Sequence, residues 1–552
     1  MRHMKKSDLP VESINRLTEL LKSDKYSDVL RNAEELLLEF PKSSVLWNIK
    51  GLAYAGLRKI HVALECYSHS ILHDPNYAGA YYNMGNAYKQ LEQYDDALVK
   101  YKQFINFNPR SAAAYNNMGT VYENLEQIGL AEKFYETAIE LDPSFANAYF
   151  NLAGVQKRQN RVAEAIANYD KSITRNPHFV QAFNNLASAH NELGDFENAI
   201  KNYQAAISFD PNYVEAHSNL GSVLKAHGQL REALAAYETA LKLRPGFSRA
   251  IEGLLELIVQ VPTFHNFLNY TIIRETSCAI TGSPYVLILR AIENFKLRDF
   301  KSARENLGSF QSLPQAAFAN LNAKTTRFCS AYYMFLDKLL TECQILNTDK
   351  KEGPKVYHLG ESHSLSFSHH HISIDDLSQR ITPMITFGAK AYHFSQNRQN
   401  AYKSITKENF ISLPINSTVF LSFGEIDCRA DEGFIIASQK LNRPIENIIM
   451  KTVDDYVRWF DYLNQEKMHK IYFFNVPAPI YDRDLADEMN RCVSTTISIF
   501  NEALASTVKR YGHQLVDLHA ITTNDLGFSN EHYHIDRVHL KPTILTEIER
   551  RA

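Results

Sequence analysis

The chain has 552 residues, 45% hydrophobic and 22% charged, with 59 Lys and Arg against 62 Asp and Glu for a net charge of −3. This is the balance of an ordinary soluble globular chain, without the basic excess that nucleic acid or an anionic membrane surface selects. Its six cysteines, Cys66, Cys278, Cys329, Cys343, Cys428 and Cys492, form no CxxC pair, which points to reduced thiols rather than a disulfide framework or a zinc site.

The amino terminus, MRHMKKSDLPVES, is polar from the start and lacks the apolar core of a secretory signal. No apolar run elsewhere approaches the ~18 residues of a membrane span. The expectation is a soluble, cytoplasmic protein with no membrane partner.

Seven prolines then follow at a step of 34 residues: Pro41, Pro75, Pro109, Pro143, Pro177, Pro211 and Pro245. Alanine keeps the same step at Ala63, Ala97, Ala131, Ala165, Ala199 and Ala233, and tyrosine at Tyr67, Tyr101, Tyr135, Tyr169, Tyr203 and Tyr237. Asparagine recurs at Asn83, Asn117, Asn151, Asn185 and Asn219. A fixed period of this length signals stacked supersecondary units. Alanine lets two helices approach, tyrosine fills the gap to the next unit, and proline ends the second helix because it has no N–H to give. These columns resemble the tetratricopeptide (TPR) repeat over roughly residues 10–260, with 10–43 a divergent first unit. The resemblance implies an α-solenoid in which one unit cannot bury its apolar face alone.

The asparagine column has two readings. In one, each amide bonds to the neighbouring turn. In the other, the column lines the concave face and grips an extended peptide, since an amide offers both donor and acceptor. The segments NNMG, FNLA and SNLG look like the repeats of O-linked N-acetylglucosamine transferases, in which such asparagines bind peptide. That likeness stops at the repeats. The ~200 residues after the linker are too few for that family's two Rossmann-like lobes, which leaves a glycosyltransferase accessory as a third and lesser reading.

Residues 261–346 stay helical in pattern but lose the repeat columns, as degenerate repeats that cap or bridge. The polar stretch at 347–354, ending Gly353–Pro354, marks a linker. From 355 to 552 the texture changes. KVYHL, PMITFGA, STVFLSF, KIYFFNV and HQLVDL read as strands, with helical stretches between them. Strands alternating with helices predict a parallel sheet covered on both faces, with ligands at the carboxyl ends of the strands.

Those ends carry Gly360-Glu361-Ser362, Gly424-Glu425-Ile426-Asp427-Cys428-Arg429 and, near the carboxyl terminus, Asp536-Arg537-Val538-His539. A serine on a strand-to-helix turn with a distant Asp-x-x-His suggests nucleophilic catalysis, the imidazole taking the serine proton and the aspartate orienting it. The blocks resemble the SGNH/GDSL-type hydrolases over about 355–552. That resemblance implies a flavodoxin-like three-layer α/β fold with Ser362 as nucleophile, His539 as base and Asp536 as orienter. It also implies Gly388 as a backbone oxyanion donor and Gly424 to Asp427 as the third block. Ile426 stands where the family has the asparagine that donates to the oxyanion, and loss of one such donor costs roughly 2.7–4 kcal/mol. Arg429 is the candidate replacement.

Each residue also has a plain structural reading. Ser362 suits a helix N-cap. His369-His370-His371 reads as a polar helix face, because consecutive helical side chains diverge and no ligand spacing accompanies them. No metal and no cofactor are expected. Two functions follow: a TPR-targeted serine esterase or acyltransferase acting on an acylated small molecule, glycan or modified protein, or a scaffold whose repeats bind a peptide or protein beside an inert hydrolase-like domain.

Overall fold

The computed structural model describes residues 9–267, 282–319, 321–342, 354–536 and 539–551. The linker expected at 347–354 lies outside the described residues except for Pro354, as do Cys278 and Cys343. The chain forms two compact units, Met1–Pro211 and Asn212–Ala552.

The first unit is a run of helix pairs, from Val11–Lys22 with Tyr26–Glu39 to Val180–Glu192 with Phe196–Phe209. The second helix of each pair stops two residues before its proline, as at His73 before Pro75. Asp74 takes an extended conformation (φ −145°, ψ 95°), because the proline ring disfavours helical backbone in the residue ahead of it. The alanines Ala63, Ala97, Ala131, Ala165 and Ala199 are fully buried, and Tyr67, Tyr101, Tyr135, Tyr169 and Tyr203 nearly so.

Two features of this packing escape the columns first noticed. A glycine on the first helix accepts the tyrosine ring of the second. A Cβ on Gly85 would stand 2.7 Å from the Tyr101 ring, and one on Gly119 2.6 Å from that of Tyr135. The turn inside each pair holds a left-handed residue, at Asp24, Arg58, Glu92, Glu126, Asn160 and Gly194. The 34-residue step thus extends to a backbone conformation that only three of those residue types, Gly, Asn and Asp, favour.

The second unit opens with helices Val214–His227 and Leu230–Leu243, turning at Gly228 (φ +88°), and continues with Ser248–Gln260. Pro284–Lys296 and Phe300–Gln311 form another hairpin, again with a left-handed residue at its turn, Arg298. The long helix Ala323–Glu342 follows. The rest of the unit is built on a six-stranded mixed sheet: β1 (Lys355–Gly360), β2 (His371–Ile374), β3 (Leu377–Ile385), β4 (Thr418–Ser422), β5 (Lys470–Phe474) and β6 (Gln514–Val516). Their order is β2-β3-β1-β4-β5-β6, parallel except for the antiparallel β2–β3 pair.

Both faces are buried. Val419, Leu421, Ile471 and Phe473 join one core with Val453, Phe460, Phe500 and Leu504 of the helices Ile445–Asn464 and Asp487–Arg510. Phe420, Tyr472 and Phe474 alternate into the other core with Leu540, Leu545 and Ile548. Burial on two faces is why these strands read as unbroken apolar runs. The β2–β3 hairpin was not expected. His371 begins β2, His369 is left-handed at φ +67°, and the helix after Ser362 ends at Ser366. The histidine run is therefore a turn into a strand, not a helix face. His369 is buried with its Nε2 2.8 Å from the Phe295 carbonyl. Among the described residues no cluster of three His, Cys, Asp or Glu side chains is disposed to hold a metal ion, and no helix is long and apolar enough to cross a membrane.

Candidate functional site

β1 ends at Gly360, and the chain turns through Glu361 and Ser362 into the one-turn helix His363–Ser366. Ser362 is buried, with helical backbone angles. Its Oγ donates to Glu361 Oε2 at 3.1 Å. The Glu361 carboxyl lies in the interior, and burial raises its pKa against the pull of Arg429.

β4 leads into the second strand-end segment. Gly424 has φ +123°, and a Cβ there would strike the Phe500 ring, so only glycine makes this turn. Arg429 clasps Glu425 through Nε, at 2.9 and 3.1 Å, and Nη2, at 2.7 Å. Burial raises the Glu425 pKa, but the guanidinium outweighs it and the net shift is downward. A third nitrogen of Arg429 reaches Glu432 at 3.6 Å. The guanidinium is thus committed to carboxylates. Asp427 is fully buried, and its oxygens accept from the backbone N–H of Ala391 at 2.6 Å and of Tyr392 at 3.4 Å. Burial pushes its carboxyl up to about 7. It fastens the segment that follows Gly388. Gly388 itself lies beyond β3 with φ +66°, in a turn where the Phe387 N–H donates to Gln260 Oε1 at 2.8 Å.

The third segment brings in His539, whose Nδ1 stands 2.8 and 3.0 Å from the two Asp536 oxygens. Its Nε2 is buried with no hydrogen-bond partner. The His363 ring centroid is 5.3 Å away. His363 also lines one pocket with Glu425, so the three strand-end segments meet in one cluster. Ser362 and His539 make no hydrogen bond to each other, because Ser362 is turned to Glu361.

The helix Ala323–Glu342 adds residues that the strand-end reading missed. Phe335 stacks on His539, Tyr332 packs edge-on against Phe387 with centroids 5.5 Å apart, and Lys338 Nζ reaches the Ile535 carbonyl at 3.4 Å. In sequence these side chains form only the apolar stripe of a helix, with nothing to say which surface they cover. A cavity of about 390 Å³ opens beside Glu425 and Arg429, walled by Val476, Pro479, Val493 and Ile497 and reached by His534. Chemically, the cluster holds a hydroxyl, an imidazole with one nitrogen fixed and the other open, and two half-buried carboxylates beside one guanidinium.

In the first unit the asparagine column is a ladder. Asn83 Nδ2 donates to Asn48 at 2.9 Å, Asn117 Nδ2 to Tyr82 and Asn86 at 3.0 Å each, and Asn151 Nδ2 to Asn116 at 2.9 Å. Asn185 accepts from Asn184 at 3.1 Å. Asn83, Asn117 and Asn151 are half-buried, and their Oδ1 atoms accept no hydrogen bond from the described residues. In the second unit Asn219 is likewise half-buried.

Models of the tetratricopeptide repeat match residues 66–99, 112–145, 134–167 and 214–247, and TPR-repeat models match 85–126 and 187–228. The chain therefore carries tetratricopeptide repeats. No curated protein matches it. Among solved structures it is similar to the APC/C hetero-tetramer Cut9–Hcn1, with 19% identity, 46% of this chain and 49% of that chain covered and a TM-score of 0.40. The chain thus spans about half the length of that relative. It is also similar to YrrB, described as a TPR protein with an unusual peptide-binding site, at 22% identity over 33% of this chain and 95% of that one, TM-score 0.28. A third is the C-terminal part of a TPR repeat-containing protein from Cytophaga hutchinsonii, at 17% identity over 44% and 99% of the two chains, TM-score 0.35.

Proposed function

We propose that this chain is an interaction scaffold whose repeats bind an extended peptide or protein segment. The asparagine ladder carries this reading. Asn83, Asn117 and Asn151 each spend Nδ2 on the preceding repeat and keep Oδ1 open. An amide held by a neighbour is already ordered, so it loses little freedom when it accepts an N–H from a ligand backbone. Binding of selected peptides to wild type and to Asn83→Ala, Asn117→Ala and Asn151→Ala tests it. Binding that ignores all three replacements sinks it.

A second reading concerns the carboxyl-terminal domain, and the open, buried Nε2 of His539 favours it. Without its antiparallel edge strand, the sheet order β3-β1-β4-β5-β6 matches the flavodoxin-like order, which supports the SGNH-type hydrolase reading. In this reading Ser362 swings from Glu361 to His539. Its Oγ then forms a bond to an ester carbonyl carbon as its proton passes to Nε2, and the carbonyl π pair moves to oxygen. Collapse expels an alcohol that takes the proton back, and water releases the acyl group by the same route. A serine-reactive fluorophosphonate should label wild type and not Ser362→Ala. Equal labelling of the two, or none of either, refutes this second reading.

A further inference from the structure

Among the described residues, Ile426 occupies the position where the hydrolase resemblance implies a side-chain donor for the oxyanion, and Arg429 is bound to Glu425 and Glu432. We propose that Tyr332, delivered by the helix Ala323–Glu342 from outside the sheet domain, is that donor. The inference rests on the serine-hydrolase reading of Ser362.

Three observations place the hydroxyl. One turn further along the same helix, Phe335 lies on the His539 imidazole. The Tyr332 ring packs against Phe387, whose chain neighbour is Gly388, the candidate backbone donor. The Tyr332 oxygen is buried and makes no hydrogen bond of ordinary geometry. It nevertheless lies close enough to Ser362 to feel it, as it feels the Glu361 carboxylate. Burial, then the Glu361 charge, drive its pKa far up, so the phenol keeps its proton and remains a donor.

A buried hydroxyl without a partner is costly, and sites that hold one unpaired have prepared it for a charge not yet present. When Ser362 Oγ adds to an ester carbonyl, the pair pushed onto oxygen creates that charge beside Ser362. The Tyr332 O–H then gains an acceptor it lacks in the resting state. Its proton stays on the phenol, and the serine proton goes to His539, so the step balances without any further reagent. A donor satisfied only in the transition state raises kcat more than it lowers KM.

The test uses the full chain with p-nitrophenyl acetate turnover and fluorophosphonate labelling. Wild type, Tyr332→Phe and Ser362→Ala are compared, with thermal unfolding of each. Tyr332→Phe removes one atom, and the variant is expected to unfold no earlier than wild type. Its kcat should fall about 100-fold, with KM changed less than threefold and labelling slowed in parallel. Turnover by Tyr332→Phe within threefold of wild type, while Ser362→Ala is dead, overturns the assignment of Tyr332 and leaves the serine reading standing. Turnover in wild type that Ser362→Ala retains, or no turnover and no labelling in wild type, overturns the serine reading and this inference with it.

Discussion

The Phe335 ring stacks on the imidazole of His539 with centroids 3.8 Å apart and 18° between planes. The two residues are about two hundred positions apart in the chain, and both are buried. Phe335 therefore holds the helix Ala323–Glu342 against the strand-end cluster and fixes the face of the imidazole that Asp536 orients from its edge. Phe335→Ala should cost about 3–5 kcal/mol of stability. Phe335→Leu, which keeps apolar contact, should cost less than about 1.5 kcal/mol. Urea unfolding of the two variants measures both, and equal losses would contradict this ordering, because apolar volume at the position would then restore nothing.

The glycine–tyrosine fit of the repeats makes a separate prediction. A methyl group on Gly119 would sit 2.6 Å from the Tyr135 ring, too close for two carbons. Helix propensity alone would favour alanine by about 1 kcal/mol. Overpacking of a fully buried ring costs about 1–3 kcal/mol, so Gly119→Ala should be net destabilising. Denaturant midpoints decide the sign. Gly129, with open space around it, is the control, and Gly129→Ala should stabilise.

Acid should weaken the second unit. Burial lowers the pKa of His358 to about 3 and those of His369, His393 and His534 to about 4. For a lowered histidine the unfolded chain binds the proton first. The stability is complete above the unfolded value of 6.5 and is lost as pH falls toward the folded value. At pH 5.5 each of the four costs about 1 kcal/mol relative to pH 7.5. Asp427 runs the other way. Its carboxyl, raised to about 7 by burial, regains about 2 kcal/mol over the same interval. The net expectation is a loss of a few kcal/mol between pH 7.5 and 5.5. His358→Leu should flatten the dependence by about 1 kcal/mol whatever it does to absolute stability. Urea midpoints at the two pH values check this, and a flat wild-type profile would refute it.

The repeats were legible because one packing solution recurs and most of its columns are side chains. Pro, Ala and Tyr keep their step, and so does the asparagine ladder. The glycine under each tyrosine was harder to see, since Ala153 and Ala187 replace it in two repeats. The left-handed turn was not visible at all, because Arg58, Glu92 and Asn160 share a conformation and not a residue type. In the sheet domain the apolar runs gave the parallel strands. The β2–β3 hairpin was hidden by three consecutive histidines, whose identity says nothing of the left-handed backbone at His369. The ends of β1 and β4 and the Asp-x-x-His segment were readable as one cluster from strand order. Tyr332 and Phe335 were not, because their helix lies outside the strand–helix alternation and its periodicity reports only that one face is covered.

The repeat ladder is the centre of the functional account, and peptide selection on the full chain tests it most directly. A library of random displayed peptides is selected on wild type, and the winners are titrated against wild type and the triple variant Asn83→Ala, Asn117→Ala, Asn151→Ala, with circular dichroism confirming that the variant keeps its helices. The account predicts that selected peptides bind wild type and lose at least tenfold in affinity with the variant. Peptides that bind both proteins equally, or a wild type that selects none, would contradict it.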